Sequence, residues 1–226
     1  RSESLLLTPQ LERLEAAALE ALRAVAPDEV RLETEMSAVA GHELVLVTTK
    51  AIVNDDMPFL VDSVSMAVNR LGLALHSVVH PVFRIWRGPD GSIVRVSQGA
   101  EDATDTRSQL ASFIHFEVDR CGDAAKLDAL RDEIARVLRD VRAAVEDWPK
   151  IVELARVTVK GMKAGEAGPE GVEARAFLEW MVADHFTFLG QRDYELVQHG
   201  DGFGLRAVPG SGLGILRDEL RPAGAA

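Results

Sequence analysis

Apolar positions recur along this chain at two spacings, and each change of spacing marks a boundary between elements. Leu11, Leu14, Ala18, Leu22 and Val25 repeat at helical intervals between Thr8-Pro9 and Pro27, which predicts a packing helix over 9–26. A weak pattern follows, with a short strand expected around Val30 to Leu32. From Leu44 to Val53 the chain is apolar on both faces, as in a central strand covered on both sides. Leu60, Val64, Ala67, Val68 and Leu71 then return to three- and four-residue steps, predicting a helix over 57–71 that Gly72 ends. After it the period is two: Leu73, Leu75, Val79, Phe83 and Ile85 share one face, and Ala74, His76, Val78, His80, Val82, Arg84 and Trp86 the other. Pro81 cannot donate to a ladder, so a bulge or an edge position is expected there.

Gly88-Pro89-Asp90-Gly91 is a turn signal, and Ile93 to Val96 is expected to pair back as a hairpin before a polar loop over 98–108. Leu110 to Val118 alternates again, with Ile114, Phe116 and Val118 expected inward and His115, Glu117 and Asp119 outward. The longest helical stripe runs from Asp123 to Trp148, through Leu127, Leu130, Ile134, Val137, Leu138, Val141 and Val145. Pro149 is expected to break it, with a shorter helix over 151–159 and a glycine-rich linker over 161–169. A helix over 170–184, strands over 186–197 and 203–207, and a glycine-rich tail over 209–216 complete the reading. Strand, helix, strand, hairpin, strand, helix between residues 43 and 148 is the order of an α+β ferredoxin-like sandwich, an antiparallel sheet with helices on one face. Its closing strand is not evident after Trp148. Either the strand beginning at Phe186 supplies it or the motif is modified.

With 47% hydrophobic and 27% charged residues, nothing in the chain points to disorder. The net charge of −11, with no basic cluster, argues against nucleic acid and against an anionic membrane surface. A single cysteine, Cys121, rules out an internal disulfide and a cysteine zinc cage, and suits a reducing cytosol. No apolar run approaches the roughly 20 residues of a membrane span, and no signal peptide opens the chain. It begins at Arg1 rather than Met, so a piece of a longer polypeptide is expected.

The candidate chemistry gathers where the first inner strand meets the first helix, at Asn54, Asp55, Asp56, Met57, Pro58, Phe59, Leu60 and Asp62. Pro58 suits the first turn of a helix, and carboxylates at Asp55 and Asp56 can accept its orphan N–H groups. The same aspartates, with Asp62, can hold a ligand's ammonium group while helix-start N–H groups take its carboxylate. Plain capping explains them equally. His76, His80, Arg84, His115 and Glu117 form a second set, on strands. They read as a face for a neighbouring module or subunit, in preference to a metal site or a small catalytic centre. Gly210-Ser211-Gly212-Leu213-Gly214 lacks both phosphate-loop spacings and reads as a flexible turn. Cys121 has no sequence-placed partner, no serine lies in a nucleophile elbow, and no residue is put forward as catalytic.

Five blocks carry a resemblance. Asn54 to Val64 (NDDMPFLVDSV), Ser112 to Arg120 (SFIHFEVDR), Asp140 to Trp148 (DVRAAVEDW), Asp184 to Gly190 (DHFTFLG) and Pro209 to Gly214 (PGSGLG) resemble, in order, the N-terminal region of the large bacterial NAD-specific glutamate dehydrogenases. The resemblance implies an ACT-like regulatory portion of an enzyme that oxidatively deaminates L-glutamate to 2-oxoglutarate with NAD. The dehydrogenase domain would lie far downstream, so no cofactor is expected on this stretch. ACT modules have the ferredoxin-like order read above and often bind an amino acid between first strand and first helix. The usual pattern has glycine after the proline, where this chain has Phe59. The implied organisation is an N-terminal helix and connector over 1–40, an ACT-like domain over 41–148, and a helix-linker-helix with β-hairpin over 149–226. Other domains of the parent chain, further subunits and an amino-acid effector are the expected partners, in the cytoplasm. A scaffold that binds no effector is the alternative.

Overall fold

The computed structural model describes residues 30–33, 47–89, 93–97, 107–119, 121, 123–162, 168–199 and 202–220. The helix expected over 9–26 lies outside them. The chain divides into two compact units, Arg1–Leu138 and Arg139–Ala226.

Among the described residues the first unit holds a six-stranded antiparallel sheet. Its strands are β1 (Val30–Glu33), β2 (Val47–Asp55), β3 (Leu75–Val79), β4 (Val82–Arg87), β5 (Ile93–Ser97) and β6 (Gln109–Asp119). Helix α1 (Leu60–Arg70) joins β2 to β3, and α2 (Ala124–Gly161) follows β6. The order is β1-β2-β6-β4-β5, with β3 also on β6. β3 and β4 are one strand interrupted: Val79 pairs with His115 and Val82 with Ser112, a single register carried across His80-Pro81. Pro81 has no N–H to give, but its carbonyl accepts the Phe113 N–H at 3.0 Å. A register shift, a bulge, falls between Leu75 and Ser77.

The strand beginning at Phe186 does not close the sheet, so the motif is modified. The position beside β2 belongs to β1, upstream, with Val30 against Ile52 and Glu33 against Thr49. The sandwich is closed from its N-terminal side. Val30, Arg31, Leu32 and Glu33 alternate apolar and charged, as the short strand expected around Val30 to Leu32 requires, and the pairing with β2 gives that strand its place in the sheet.

The core follows the predicted faces. Leu60, Val64, Ala67 and Val68 of α1, Leu130, Ile134 and Leu138 of α2, and Phe83 and Ile85 of β4 are buried. On β6 burial takes in both faces, Ala111, Phe113 and His115 on one and Ser112, Ile114, Phe116 and Val118 on the other. That corrects the outward placing of His115, whose face is lined by Ala111 and Phe113. Glu133 of α2 receives both Arg136, at 2.8 Å, and Arg70 at the end of α1, tying the two helices.

Pro149 lies inside α2, where a break was expected. A proline in a helix interior costs about 3 kcal/mol through the lost hydrogen bond and the clash with the preceding turn. Ile151, Val152 and Val159 beyond it are buried, and each such burial contributes about 1.5–3 kcal/mol, enough to hold the helix through. The second unit continues with α3 (Gly168–Trp180), a wider π turn over Met181–His185, and the short strands β7 (Gly190–Gln191), β8 (Tyr194–His199), β9 (Gly202–Ala207) and β10 (Leu213–Gly214). β8 pairs with β9 as a hairpin and β7 with β10. Of the strand expected over 186–197, two short pieces are paired as strands, Gly190–Gln191 and the part of β8 that begins at Tyr194. Among the described residues no helix is long and apolar enough to cross a membrane.

Candidate functional site

The β2–α1 junction is a turn, not the start of a helix. Asp55 pairs with Ala111, and the Asp56 N–H donates to the Leu110 carbonyl at 3.0 Å, so the ladder runs one residue past β2. Phe59 then takes φ 71° and ψ 0°, the left-handed setting of the third residue of a type II turn, with Pro58 in the second place. Helix α1 begins only at Leu60, and its first bond runs from the Ser63 N–H to the Phe59 carbonyl at 3.0 Å. Pro58 thus precedes the helix instead of occupying its first turn. The type II turn also explains the glycine usual at the next position, since φ is positive there. Phe59 stands in that setting with a ring that is 48% exposed.

A non-glycine residue in this region carries about 1–2 kcal/mol of backbone strain. Phe59→Gly is therefore expected to stabilise the chain by about 1 kcal/mol, measured by urea unfolding. An unchanged or lower midpoint would mean the phenyl ring contributes as much as the backbone loses.

The expected capping by Asp56 gives way to a sheet contact. Asp56 lies opposite Leu110 in the extended register, two residues from Ser112 on the same face, and β3–β4 brings His80 to Ser112 from the other side. Ser112 Oγ donates to Asp56 Oδ1 at 2.5 Å, and His80 Nε2 lies 2.9 Å from the same Oγ. Ser112 is fully buried, His80 half-buried and Asp56 exposed. One hydroxyl thus joins the turn, the central strand and the strand break. Asp62 stays in the first turn of α1, where a carboxylate favours the helix dipole, and is exposed. Met57 is half-buried, Leu60 is core, and Asn54 pairs with Ser112 through its backbone position.

The second set of candidates does not converge. His76 Nε2 lies 2.8 Å from Asp119 Oδ1, and the Ala74 N–H donates to Asp119 Oδ2 at 3.0 Å. That N–H first, and then His76, hold the Asp119 carboxyl below its usual range. Arg84 donates to Ser108 Oγ at 2.7 Å. His115 is buried opposite Val79, while His80 and Ser112 point to the other face, so His80 and His115 lie on opposite sides of the sheet. Glu117 is half-buried opposite Ser77. Among the described residues no group of His, Cys, Asp or Glu has the geometry to hold a metal ion. Cys121 is buried.

Ser112 was missed in the sequence. It is a small polar residue within an apolar run, and the one signal for it, its register against Asp56 and His80, is not local.

A strand, a proline-led turn and a helix, on an antiparallel sheet with a second helix after its central strand, are the frame of an ACT module. The family model described as "Glutamate dehydrogenase, ACT1 domain" matches residues 10–134. The chain belongs to that family. The glutamate dehydrogenase ACT1 domain therefore covers the whole sheet and the start of α2. Three relatives, all "NAD-specific glutamate dehydrogenase", extend the likeness beyond the domain. That of Halomonas elongata is 35% identical over 171 residues, 74% of this chain and 10% of the relative. That of Pseudomonas aeruginosa is 32% identical over 173 residues, 75% of this chain and 11% of the relative. That of Mycobacterium tuberculosis is 26% identical over 162 residues, 70% of this chain and 10% of the relative. The chain thus spans about a tenth of the length of these relatives.

Proposed function

We propose that this chain is the regulatory and assembly region of a bacterial NAD-dependent glutamate dehydrogenase, and that its ACT1 domain senses an amino acid at the β2–α1 turn. The parent enzyme would convert L-glutamate, NAD and water to 2-oxoglutarate, ammonia and NADH in the cytoplasm, with the NAD-dependent chemistry on other domains of the same polypeptide. The observation that carries the reading is the turn itself. Asp56 presents an exposed carboxylate at the turn that leads into α1, and the N–H groups that open α1 have no side-chain cap at Phe59, which suits the two charged ends of an amino acid. A ligand there acts by binding one arrangement of the parent's modules more tightly than another.

Calorimetry of the 226-residue chain against a panel of amino acids tests it. Saturable heat with one of them, lost in Asp56→Ala, is expected. Absence of both heat and thermal shift across the panel would remove the sensor and leave assembly alone. That second reading has an observation of its own. Val78 and Val82 flank His80, Leu110 lies on the same face, and all three are exposed on one stretch of sheet that suits a second subunit. Light scattering separates the two, since assembly gives a concentration-dependent mass with no response to amino acids.

A further inference from the structure

The hydroxyl of Ser112 has one proton, and the Asp56 carboxylate at 2.5 Å takes it. The Ser112 oxygen then faces His80 Nε2, 2.9 Å away, with lone pairs only, so that nitrogen carries a hydrogen. Donation runs in one direction, from His80 to Ser112 to Asp56. The chain links three places that sequence separates: the β2–α1 turn, the central strand β6, and the residue before the Pro81 break. Ser112 is fully buried, so its hydroxyl keeps both partners or loses stability.

We propose that Ser112 and His80 are positioning residues of the β2–α1 turn, and that the Ser112 hydroxyl relays the state of Asp56 to the imidazole of His80. This rests on the reading that an amino acid binds at that turn. A ligand ammonium group at Asp56 competes with Ser112 for the carboxylate. The hydroxyl then turns its proton toward His80 Nε2, which must become an acceptor. His80 releases the Nε2 hydrogen to water and takes one from water at Nδ1, so no net charge moves. The consequence falls beside Pro81, where the β3–β4 ladder lacks an N–H and the strand bends most readily. Occupancy of the turn is thereby coupled to the geometry of the sheet.

Nitrogen NMR of the histidine rings in the 226-residue chain reads the tautomer directly, with His80 assigned by its loss in His80→Gln. The expected result is an Nε2–H tautomer in the unsubstituted chain and in Asp56→Asn, whose amide oxygen still accepts from Ser112. Asp56→Ala is expected to move His80 to Nδ1–H, and Ser112→Ala to abolish any dependence of His80 on residue 56. An Nε2–H tautomer unchanged in Asp56→Ala would overturn the relay. Amide spectra of each variant separate loss of the relay from loss of the fold, and if Asp56→Ala unfolds, a move of His80 to Nδ1–H in the isosteric Asp56→Asn, which keeps the acceptor, would overturn the relay. If His80 responds to Asp56→Ala while no amino acid alters it, the relay stands and the sensor reading fails. If an amino acid binds by calorimetry and His80 keeps its tautomer, the relay of occupancy fails and the sensor stands.

Discussion

Gly214→Ala is expected to cost the second unit about 2–4 kcal/mol, the sum of a left-handed backbone penalty and an overpacked contact that cannot relax. Gly214 sits at φ 59° in β10, opposite Gly190 of β7. A Cβ there would run into the Leu189 carbonyl oxygen, with the Leu189 carbonyl carbon at 3.0 Å and the Gly190 Cα at 2.9 Å. All three are backbone atoms, and the Leu189 carbonyl already accepts the Ile215 N–H at 2.9 Å, so moving it breaks a bond that closes the turn. Gly204 in β9 is the matched control, since nothing lies within 4 Å of its Cβ position. Urea unfolding with hydrogen exchange of the Gly214 and Ile215 amides measures the difference. An alanine at 214 within about 0.5 kcal/mol of the unsubstituted chain would show that the turn gives way freely, against the close packing described here.

Asp147→Ala should cost about 2–3 kcal/mol at neutral pH, in the range for a charge-assisted network that is mostly but not fully buried. Asp147 lies on α2, with a side chain 15% exposed. It accepts the Gly214 N–H at 2.7 Å, Arg217 Nε at 2.7 Å and Arg217 Nη2 at 3.0 Å, while Glu146 takes a further bond from Arg217 at 3.0 Å. The Arg217 guanidinium, more than the Gly214 N–H, holds the Asp147 carboxyl below its usual range, and Asp147 in turn raises Arg217. A depressed carboxyl stabilises the fold at pH values above the unfolded-state pKa of about 3.9, and that contribution disappears as pH falls through the lower folded value. The gap between the unsubstituted chain and Asp147→Ala is therefore expected to be constant near neutrality and to close in acid. Asp147→Asn keeps an acceptor for the Gly214 N–H, so it should lose less at neutral pH, and its gap should close in acid as well because the titrating carboxyl is absent from both variants. Denaturation midpoints from pH 7 downward check both. A gap that persists unchanged below the carboxylate range would put the loss down to packing.

Both predictions bear on the segment that, from spacing alone, reads as a flexible glycine-rich turn, one through Gly214 within it and the other through Asp147, which anchors it from α2. Its glycines serve close packing: a Cβ at Gly212 would strike the Leu216 carbonyl oxygen, and Asp218 accepts the Gly210 N–H at 2.5 Å. The reason was invisible locally because Asp147, the acceptor that anchors the turn, stands 67 residues upstream of Gly214. Pro58 shows a subtler ambiguity. Proline suits the first turn of a helix and the second place of a type II turn alike, and only the positive φ of Phe59 separates the two. The stripe of Leu60, Val64, Ala67 and Val68 had no such ambiguity, since one period of 3.6 accounts for all four and all four are buried.

What the chain's own order of residues determined, then, was everything that repeats within a few positions: the face of α1, the alternation of Phe83 and Ile85, the stripe of α2, and the proline-led junction on which the family likeness rests. Tertiary structure alone decided what depends on partners distant in sequence. It put Val30–Glu33 beside β2 as the closing strand, carried α2 through Pro149, and brought Asp56, Ser112 and His80 into one hydrogen-bonded line. The physical reason is one of range. Side-chain periodicity reports which face of an element seeks burial, but strand neighbours and register are chosen by the free energy of pairings closed across long loops, and no short window of sequence contains both partners.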